Sequence, residues 1–183
     1  MIDLSIPVTI KNSEQAVNNE KMVSFGHLGT HFDVMDLEFP LEYTSLEGIV
    51  FNVKDKVEIG IPDIDINLLA SGQFVTFYSG FIDTVQYGTK RYFTEHPYLT
   101  KDLLETLLNA NIAIIGIDFA GVRRGKEHTP MDKYCADRGV FIIENLCNLD
   151  KILEKSAYFS ANIYPVNFKG MSGLPCRVTG SVD

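Results

Sequence analysis

The sequence predicts one domain that combines a mixed β-sheet with few helices. Its 183 residues are the length of an ordinary single domain, and its 45% hydrophobic content is typical of a soluble globular protein. Strand-like segments recur along the chain, whereas helical signals are fewer. At one place a helical segment leads straight into a strand, and the rest of the pattern indicates antiparallel β-structure. We therefore expect a single domain over residues 1–183.

The strand predictions depend on β-branched and aromatic residues in segments bounded by Gly, Asn or Asp. The opening segment IDLSIPVTI (2–10) is β-rich, and the polar segment KNSEQAVNNEKMV (11–23) after it is predicted to be a surface loop or a short helix. Five later segments are predicted as strands: GIVFNVK (48–54), QFVTFYSG (73–80), NIAIIGID (111–118), GVFIIEN (139–145) and CRVTGSV (176–182).

Three segments are predicted as helices. In TKDLLETLLNA (100–110), Thr100 can cap the first turn and four leucines form one apolar stripe. A second helix is expected to start near Thr129, with Pro130 at its first position and Gly139 beyond its end. A third is expected in NLDKILEK (148–155), after an Asn cap.

The charge and composition exclude several classes of partner. A net charge of −8 argues against nucleic-acid binding, because the densest basic cluster is only Arg123, Arg124 and Lys126. The longest apolar run, IAIIGI (112–117), is too short to span a bilayer, and the N-terminus has no basic region of the signal-peptide kind. The three cysteines lack the spacing of a zinc or redox motif. We expect a cytoplasmic protein that binds small molecules.

The segment GHLGTHFDVMDLEFP (26–40) contains two of the four histidines and predicts a metal site. On a straight strand His27, His31 and Asp33 would share one face, but His27 would lie about 13 Å from His31. A helix would carry Asp33 to the far side from His31. The backbone must therefore bend between the histidines, and Gly29 can make that bend. Imidazole and carboxylate together suit zinc, manganese or iron. Ordinary hydrogen-bonded histidines are the alternative interpretation.

The fragment HLGTH-F-D resembles the His-x-Gly-Thr-His-x-Asp signature of the cyclase family whose best-known members are the bacterial kynurenine formamidases. Four further segments resemble that family in the same order: IDLSIPV (2–8), YFTEHPYLTKDLLETLLNANIAIIGID (92–118), GVFIIENLCNL (139–149) and GLPCRVTG (173–180). The resemblance implies an α/β protein with the swivelling β/β/α fold and a homo-oligomer, either a dimer or a tetramer. It also implies a divalent metal, commonly zinc, held by His27, His31, Asp33, a later histidine and a glutamate that falls on Glu144.

The chain departs from the family pattern at three positions. The family's Pro and its catalytic His after the motif are replaced by Met35 and Leu37, and Leu37 cannot transfer a proton. The family's late ligand His is replaced by Asp132, whose carboxylate favours oxygen-preferring ions such as manganese.

Other residues could supply what these replacements remove. His128, four residues before Asp132, could provide the missing nitrogen ligand or the missing base, and a surface histidine is the alternative. Asp36 ranks first among the nearby carboxylates, ahead of Glu38 and Glu144, as the other acid/base candidate. His96 is interpreted as a structural loop residue. Four aromatic residues could line a substrate pocket, although aromatic residues more often pack in the core: Phe32, Tyr78, Phe81 and Tyr87.

These residues predict a metal-dependent hydrolase of a small amide, formamide or lactone-like bond. The resemblance makes the hydrolysis of N-formylkynurenine to kynurenine and formate the first activity to test. One alternative is a catalytically impaired protein that binds a metal or a small molecule on the same scaffold. Another is cyclisation or dehydration chemistry at the same ion.

Overall fold

A computed structural model describes residues 1–9 and 25–182 of the chain. The predicted loop or short helix at 11–23 lies outside the described residues. The strands are β1 (Ile2–Asp3), β2 (His31–Asp33), β3 (Ser45–Asn52), β4 (Glu58–Ile59), β5 (Phe74–Tyr78), β6 (Tyr98–Leu99), β7 (Ile114–Ile117), β8 (Phe141–Glu144), β9 (Tyr158–Pro165) and β10 (Gly173–Ser181). The helices are α1 (Phe81–Thr84), α2 (Lys90–Glu95), α3 (Lys101–Asn109), α4 (His128–Ala136) and α5 (Leu149–Leu153), and short 3-10 turns occupy Leu41–Thr44, Ile61–Asp63, Ile66–Leu68 and Gly125–Glu127.

Seven strands form a closed sheet. Their order is β10-β2-β8-β7-β5-β3-β9, and β9 pairs back onto β10, which closes the barrel. Strand β1 pairs with β10, and β4 pairs with β6 in a separate two-stranded sheet. The predicted mixed sheet with few helices is therefore confirmed.

The parallel part of the sheet is larger than the sequence indicated. β3, β5, β7 and β8 are neighbours in parallel pairs, so the expectation that the chain is antiparallel outside one strand-helix-strand unit is wrong. β5, β7 and β8 are buried on both faces, as parallel strands with covered faces are. Such strands have continuous apolar sequences. A sequence of this kind does not indicate whether the neighbouring strands run parallel or antiparallel to it.

Strand β9 was not predicted, although its sequence carries the alternation of a half-buried strand. Phe159, Ala161 and Ile163 are buried and alternate with more exposed residues, which is the period of a strand with one covered face. At the other end of the chain the predicted opening strand is shorter than expected, since only β1 and a bridge between Ser5 and Leu146 are formed among the described residues.

The three predicted helices are present as α3, α4 and α5, with two differences at their starts, whereas α1 and α2 were not predicted. Thr100 caps α3, because its hydroxyl accepts a hydrogen bond from the Leu103 N–H. Helix α4 begins at His128, so Pro130 is its third residue, where the absent N–H still costs no helical hydrogen bond. Asn148 precedes α5, but its side chain donates to the Asp3 carbonyl and does not cap the helix.

Two hydrophobic clusters lie on opposite faces of the sheet. One is shared by the strands of the barrel and includes Phe32, Phe74, Ile143, Phe159 and Val178. The other packs under the apolar stripe of α3 and includes Val75, Ile115 and Ile142. No helix in the described part of the chain has the length and apolar character needed to cross a membrane.

Candidate metal centre

The candidate metal centre begins at a turn before β2. The predicted bend is present at Gly29, which has a left-handed φ of 72°. A Cβ at this position would come within 2.6 Å of the Val8 side chain. Position 29 therefore favours glycine both for its left-handed φ and for the lack of space for a side chain. The bend brings His27 back towards β2, where His31 lies opposite Glu144 of β8 in the antiparallel register.

The donor atoms of His27, His31 and Asp33 converge. The Nδ1 atom of His27 lies 3.1 Å from His31 Nε2 and 3.1 Å from Asp33 Oδ1, and the latter two atoms are 3.3 Å apart. Ligand atoms around a tetrahedral zinc ion with bonds of 2.0–2.1 Å are separated by about 3.3 Å. The three side chains therefore have the spacing that one divalent ion requires.

A second group of donors lies on α4 and at the end of β8. His128 and Asp132 are one helical turn apart, and His128 Nε2 is 3.2 Å from Asp132 Oδ2 and 2.8 Å from Glu144 Oε1. The other carboxylate oxygen of Glu144 lies 3.6 Å from His31 Nε2. Glu144 thus connects the two groups, and each group has donor atoms close enough to share one ion.

Buried carboxylate oxygens in both groups have no hydrogen-bond partner among the described residues. They are both oxygens of Asp33 and Oδ1 of Asp132. A buried carboxylate without partners is costly, because it loses its hydration without compensation. A cation between the donors would satisfy these oxygens, so the residues fit a divalent metal.

The outer contacts of the histidines orient their rings. His31 Nδ1 lies 2.9 Å from the Gly29 carbonyl, which can only accept, so this nitrogen carries a proton and Nε2 faces the other donors. His27 Nε2 lies 2.8 Å from the Ser172 hydroxyl, which leaves Nδ1 facing the centre. Metal-binding histidines commonly hold their second nitrogen in this way.

Burial and neighbouring carboxylates shift the pKa values of His31 and His128 in opposite directions. Burial alone would lower the pKa of His31, but the carboxylates of Asp33 and Glu144 outweigh it and raise the pKa to about 9. In the same way, Glu144 and Asp132 raise the pKa of His128 to about 10 against the effect of burial. The histidines hold the pKa of Asp33 below its usual range despite its burial, whereas burial raises the pKa of Asp132 well above its usual range.

The donors open onto a cavity of about 510 Å³, a size suited to a small molecule. It is lined by Phe25, His27, His31, Met35, Phe93, Ala120, His128, Thr129, Asp132, Glu144, Asn145 and Ser172. The aromatic residues named from the sequence are not among them. Phe32, Tyr78 and Tyr87 are buried in the core, and Phe81 packs against it. Phe25 and Phe93 were missed, since no feature of the sequence distinguishes them from the other aromatic residues.

Asp36 does not join the other predicted site residues. The chain turns after β2, where Met35 has a φ of 57°, and the exposed Asp36 carboxylate contacts Lys133 of α4 at 2.9 Å. Asp36 lines a neighbouring cavity instead, and Leu37 is 43% exposed. Proximity along the sequence was the reason for choosing Asp36, and the turn at Met35 removes that proximity. We therefore give Asp36 no catalytic role.

His96 lies outside both donor groups. It is buried, its Nδ1 donates to the Pro97 carbonyl at 2.7 Å, and its ring stacks on Phe119. Burial lowers its pKa to about 4, so it is neutral near pH 7. These contacts are those of a structural residue.

Comparisons with known proteins find a matching family model and several structures of similar fold. The family model described as "Putative cyclase" matches residues 2–123. A structure described as a potential metal-dependent hydrolase with cyclase activity has a TM-score of 0.74 at 22% identity, covering 96% of this chain and 94% of that chain. A predicted metal-dependent hydrolase from Bacillus stearothermophilus has a TM-score of 0.73 at 21% identity, with coverages of 96% and 95%.

Isatin hydrolase A from Labrenzia aggregata is also similar, with a TM-score of 0.67 at 20% identity, covering 82% of this chain and 71% of that chain. No curated protein gave a significant sequence match. At these identities the structural likeness establishes a common fold, which is the fold expected from the sequence.

Proposed function

We propose that this chain, which belongs to the family described as "Putative cyclase", is a metal-dependent hydrolase of small amide, formamide or lactone-like substrates. The observation that carries the proposal is the convergence of six donor side chains in two groups joined by Glu144. Hydrogen bonding alone accounts poorly for this arrangement, because within residues 1–9 and 25–182 it leaves three buried carboxylate oxygens without partners.

We assign the primary ion to His27, His31 and Asp33, with Glu144 as a further ligand. Two imidazoles and carboxylate oxygen suit zinc. The second group, His128, Asp132 and Glu144, offers one nitrogen and carboxylate oxygens, which suit manganese as well as zinc. The number of bound ions distinguishes two roles for His128: with two ions it is a ligand, and with one ion it is free to transfer a proton.

A bound divalent ion would lower the pKa of a water molecule and polarise the scissile carbonyl. In the one-ion form, the charge of the bound ion would offset the carboxylates that raise the pKa of His128, and the neutral imidazole would take the proton from the attacking water and return it to the leaving group. Its imidazole suits this task because it lies at the cavity, one-third exposed, and is oriented by Glu144 and Asp132. The apolar side chains of Phe25, Met35 and Phe93 hold the substrate body and exclude water.

The apolar and aromatic lining supports substrates with an aromatic ring. N-formylkynurenine, which would give kynurenine and formate, remains the first substrate to test. Isatin is the second, because a structurally similar protein is an isatin hydrolase and isatin carries a cyclic amide on an aromatic ring. Formanilide and a simple lactone complete the series.

The test is metal analysis of the purified protein followed by assays on these four compounds. We expect stoichiometric metal and turnover of at least one compound, and we expect the His31→Ala variant to lose both. Stoichiometric metal without turnover would favour the impaired binding protein. Absence of metal, even after incubation with zinc or manganese, would contradict the proposal.

We also propose that the chain forms a homo-oligomer and acts in the cytoplasm, without a nucleic-acid partner. The apolar side chains of Leu37, Leu41, Tyr164, Val166 and Phe168 are exposed around a second cavity of about 600 Å³. Exposed apolar side chains gathered in this way are typical of protein interfaces, and a second copy of the chain would cover them. The three cysteines are free thiols, which suits a reducing compartment.

A further inference from the structure

We infer, on the basis of the proposed function, that Asn145 is a positioning residue that holds the Gly29 turn and through it the metal-facing imidazole of His31. Asn145 directly follows Glu144, is 1% exposed and has a left-handed φ of 60°. Asn145 is not one of the six residues of the two donor groups. Its side chain instead joins the end of β8 to the turn before β2.

The Asn145 amide is held from both sides. Its Nδ2 donates to the Gly29 carbonyl at 2.9 Å, and its Oδ1 accepts from the Tyr92 hydroxyl at 2.9 Å. The Tyr92 hydroxyl keeps its proton because the side chain is fully buried, which raises its pKa well above the usual value. This donor at Oδ1 directs the NH₂ end of the amide to Gly29.

The Gly29 carbonyl is also the acceptor of His31 Nδ1, at 2.9 Å. Asn145 and His31 therefore share one acceptor, and the position of that oxygen sets both the tautomer and the orientation of the His31 ring. The Gly29 N–H donates to the Tyr87 hydroxyl at 2.7 Å, so this residue is held at both of its main-chain polar groups.

External hydrogen bonds are needed here because glycine itself restricts the backbone least of all residues. An unconstrained glycine would leave His27 and His31 free to separate, and ordering it costs conformational entropy. The Thr30 hydroxyl adds a bond to the Asn145 carbonyl at 2.7 Å, so two consecutive residues of the turn are attached to Asn145. The donors are thereby arranged before a cation binds, which increases affinity.

The experiment compares Asn145→Gly with Asn148→Gly. Both residues have left-handed φ angles, of 60° and 58°, and both donate Nδ2 to a backbone carbonyl, but Asn148 donates to Asp3. Glycine tolerates the left-handed backbone, so each variant removes the amide without adding backbone strain. The measurements are zinc affinity by chelator competition, the visible absorption spectrum of the cobalt(II) form, and the thermal unfolding midpoint.

We expect Asn145→Gly to weaken zinc binding by about 10- to 100-fold and to change the cobalt spectrum. We expect Asn148→Gly to leave affinity and spectrum as in the wild type. Tyr92→Phe, which removes one hydroxyl, should reproduce the spectral change with a smaller loss of affinity. If Asn145→Gly does not fold, the zinc affinity and cobalt spectrum of Tyr92→Phe test the inference.

Two results overturn the inference, and they are distinguishable. Wild-type affinity and spectrum in folded Asn145→Gly, or in Tyr92→Phe where Asn145→Gly is unfolded, would show that the amide does not position the site although the site binds metal. Failure of the wild-type protein to bind zinc or cobalt would overturn the proposed function and this inference with it.

Discussion

At the scale of single residues, two buried histidines have opposite environments. The His31 ring faces Asp33 and Glu144, and these carboxylates raise its pKa to about 9 although burial opposes the rise. The His96 ring faces Phe119 and a backbone carbonyl, and burial lowers its pKa to about 4. The first environment suits a metal ligand, and the second suits a packed side chain.

The first prediction compares His31→Ala with His96→Ala. We expect His31→Ala to abolish metal retention, because it removes a nitrogen from the centre of the first donor group. His96→Ala should keep the metal while lowering stability, because it empties a buried site. The measurement is metal content per folded protein after dialysis, and equal loss in the two variants would mean that the site is misplaced.

At the scale of secondary-structure elements, a buried carboxylate connects the ends of two parallel strands. Asp118 follows β7 and accepts hydrogen bonds from the Ser79 hydroxyl at 2.6 Å and from the Gly80 N–H at 2.7 Å, just beyond β5. Its Oδ2 also accepts from the Ser79 N–H at 3.0 Å. Burial raises the pKa of Asp118 to about 7, although these hydrogen bonds oppose the rise. Its contacts are structural and lie outside the donor groups.

The second prediction concerns the stability that Asp118 provides. Asp118→Ala leaves two backbone N–H groups and one hydroxyl without their acceptor in a buried place, and we expect the free energy of unfolding to fall by about 2–4 kcal/mol. Asp65→Ala is the control, since Asp65 accepts from the Asn67 N–H in an exposed turn. That change should cost less than about 1 kcal/mol. Urea denaturation of both variants measures the difference, and equal losses would contradict it.

At the scale of the whole molecule, the closed barrel brings distant segments to one place. β2 lies between β10 and β8, so the motif before residue 34 meets Glu144 at the end of β8. Helix α4 precedes β8 in the chain and supplies His128 and Asp132. The result is a concentration of carboxylates and imidazoles whose protonation depends on the folded state.

The third prediction is a pH dependence of the metal-free protein. The pKa values of His31 and His128, about 9 and 10, lie above the ordinary value of 6.5, so the folded state binds more protons than the unfolded state between pH 6.5 and 9. The stabilisation is complete below pH 6.5 and is lost as the pH rises through 9 and 10, and the raised pKa of Asp132 acts in the same direction. We expect a loss of several kcal/mol over this range, because a shift of one pKa unit corresponds to about 1.4 kcal/mol.

Chemical denaturation at pH 6.5 and pH 9 measures this loss, with a chelator present and then with zinc. Zinc should remove or reverse the loss, because the ion replaces the same protons. A metal-free protein that is equally stable or more stable at pH 9 would contradict the assigned protonation.

The fourth prediction tests the proposed homo-oligomer. Leu41 is 80% exposed beside the second cavity, and we expect Leu41→Glu to lower the molar mass from a dimer or tetramer towards a monomer, because the charge would be buried at the interface. Val57→Glu is the control, since Val57 is 61% exposed and does not line that cavity. Light scattering after size exclusion measures the mass, and a monomeric wild type would contradict the proposal.

The sequence by itself determined three helices, several strands and the three side chains that converge in the first donor group. The leucine stripe of α3, its Thr100 cap and the apolar strands β5, β7 and β8 follow from patterns within each segment. The bend at Gly29 also follows, because no regular element can gather His27, His31 and Asp33. These predictions succeeded because the residues concerned are close together in the chain.

The tertiary structure alone decided what depends on distant pairing. It placed Glu144 between the two donor groups, gave β3, β5, β7 and β8 their parallel order, and turned Asp36 away at Met35. It also brought Asn145 to the Gly29 carbonyl across 116 positions of sequence. Such contacts form when the barrel closes. The side-chain pattern of one segment does not determine which other segment will lie beside it.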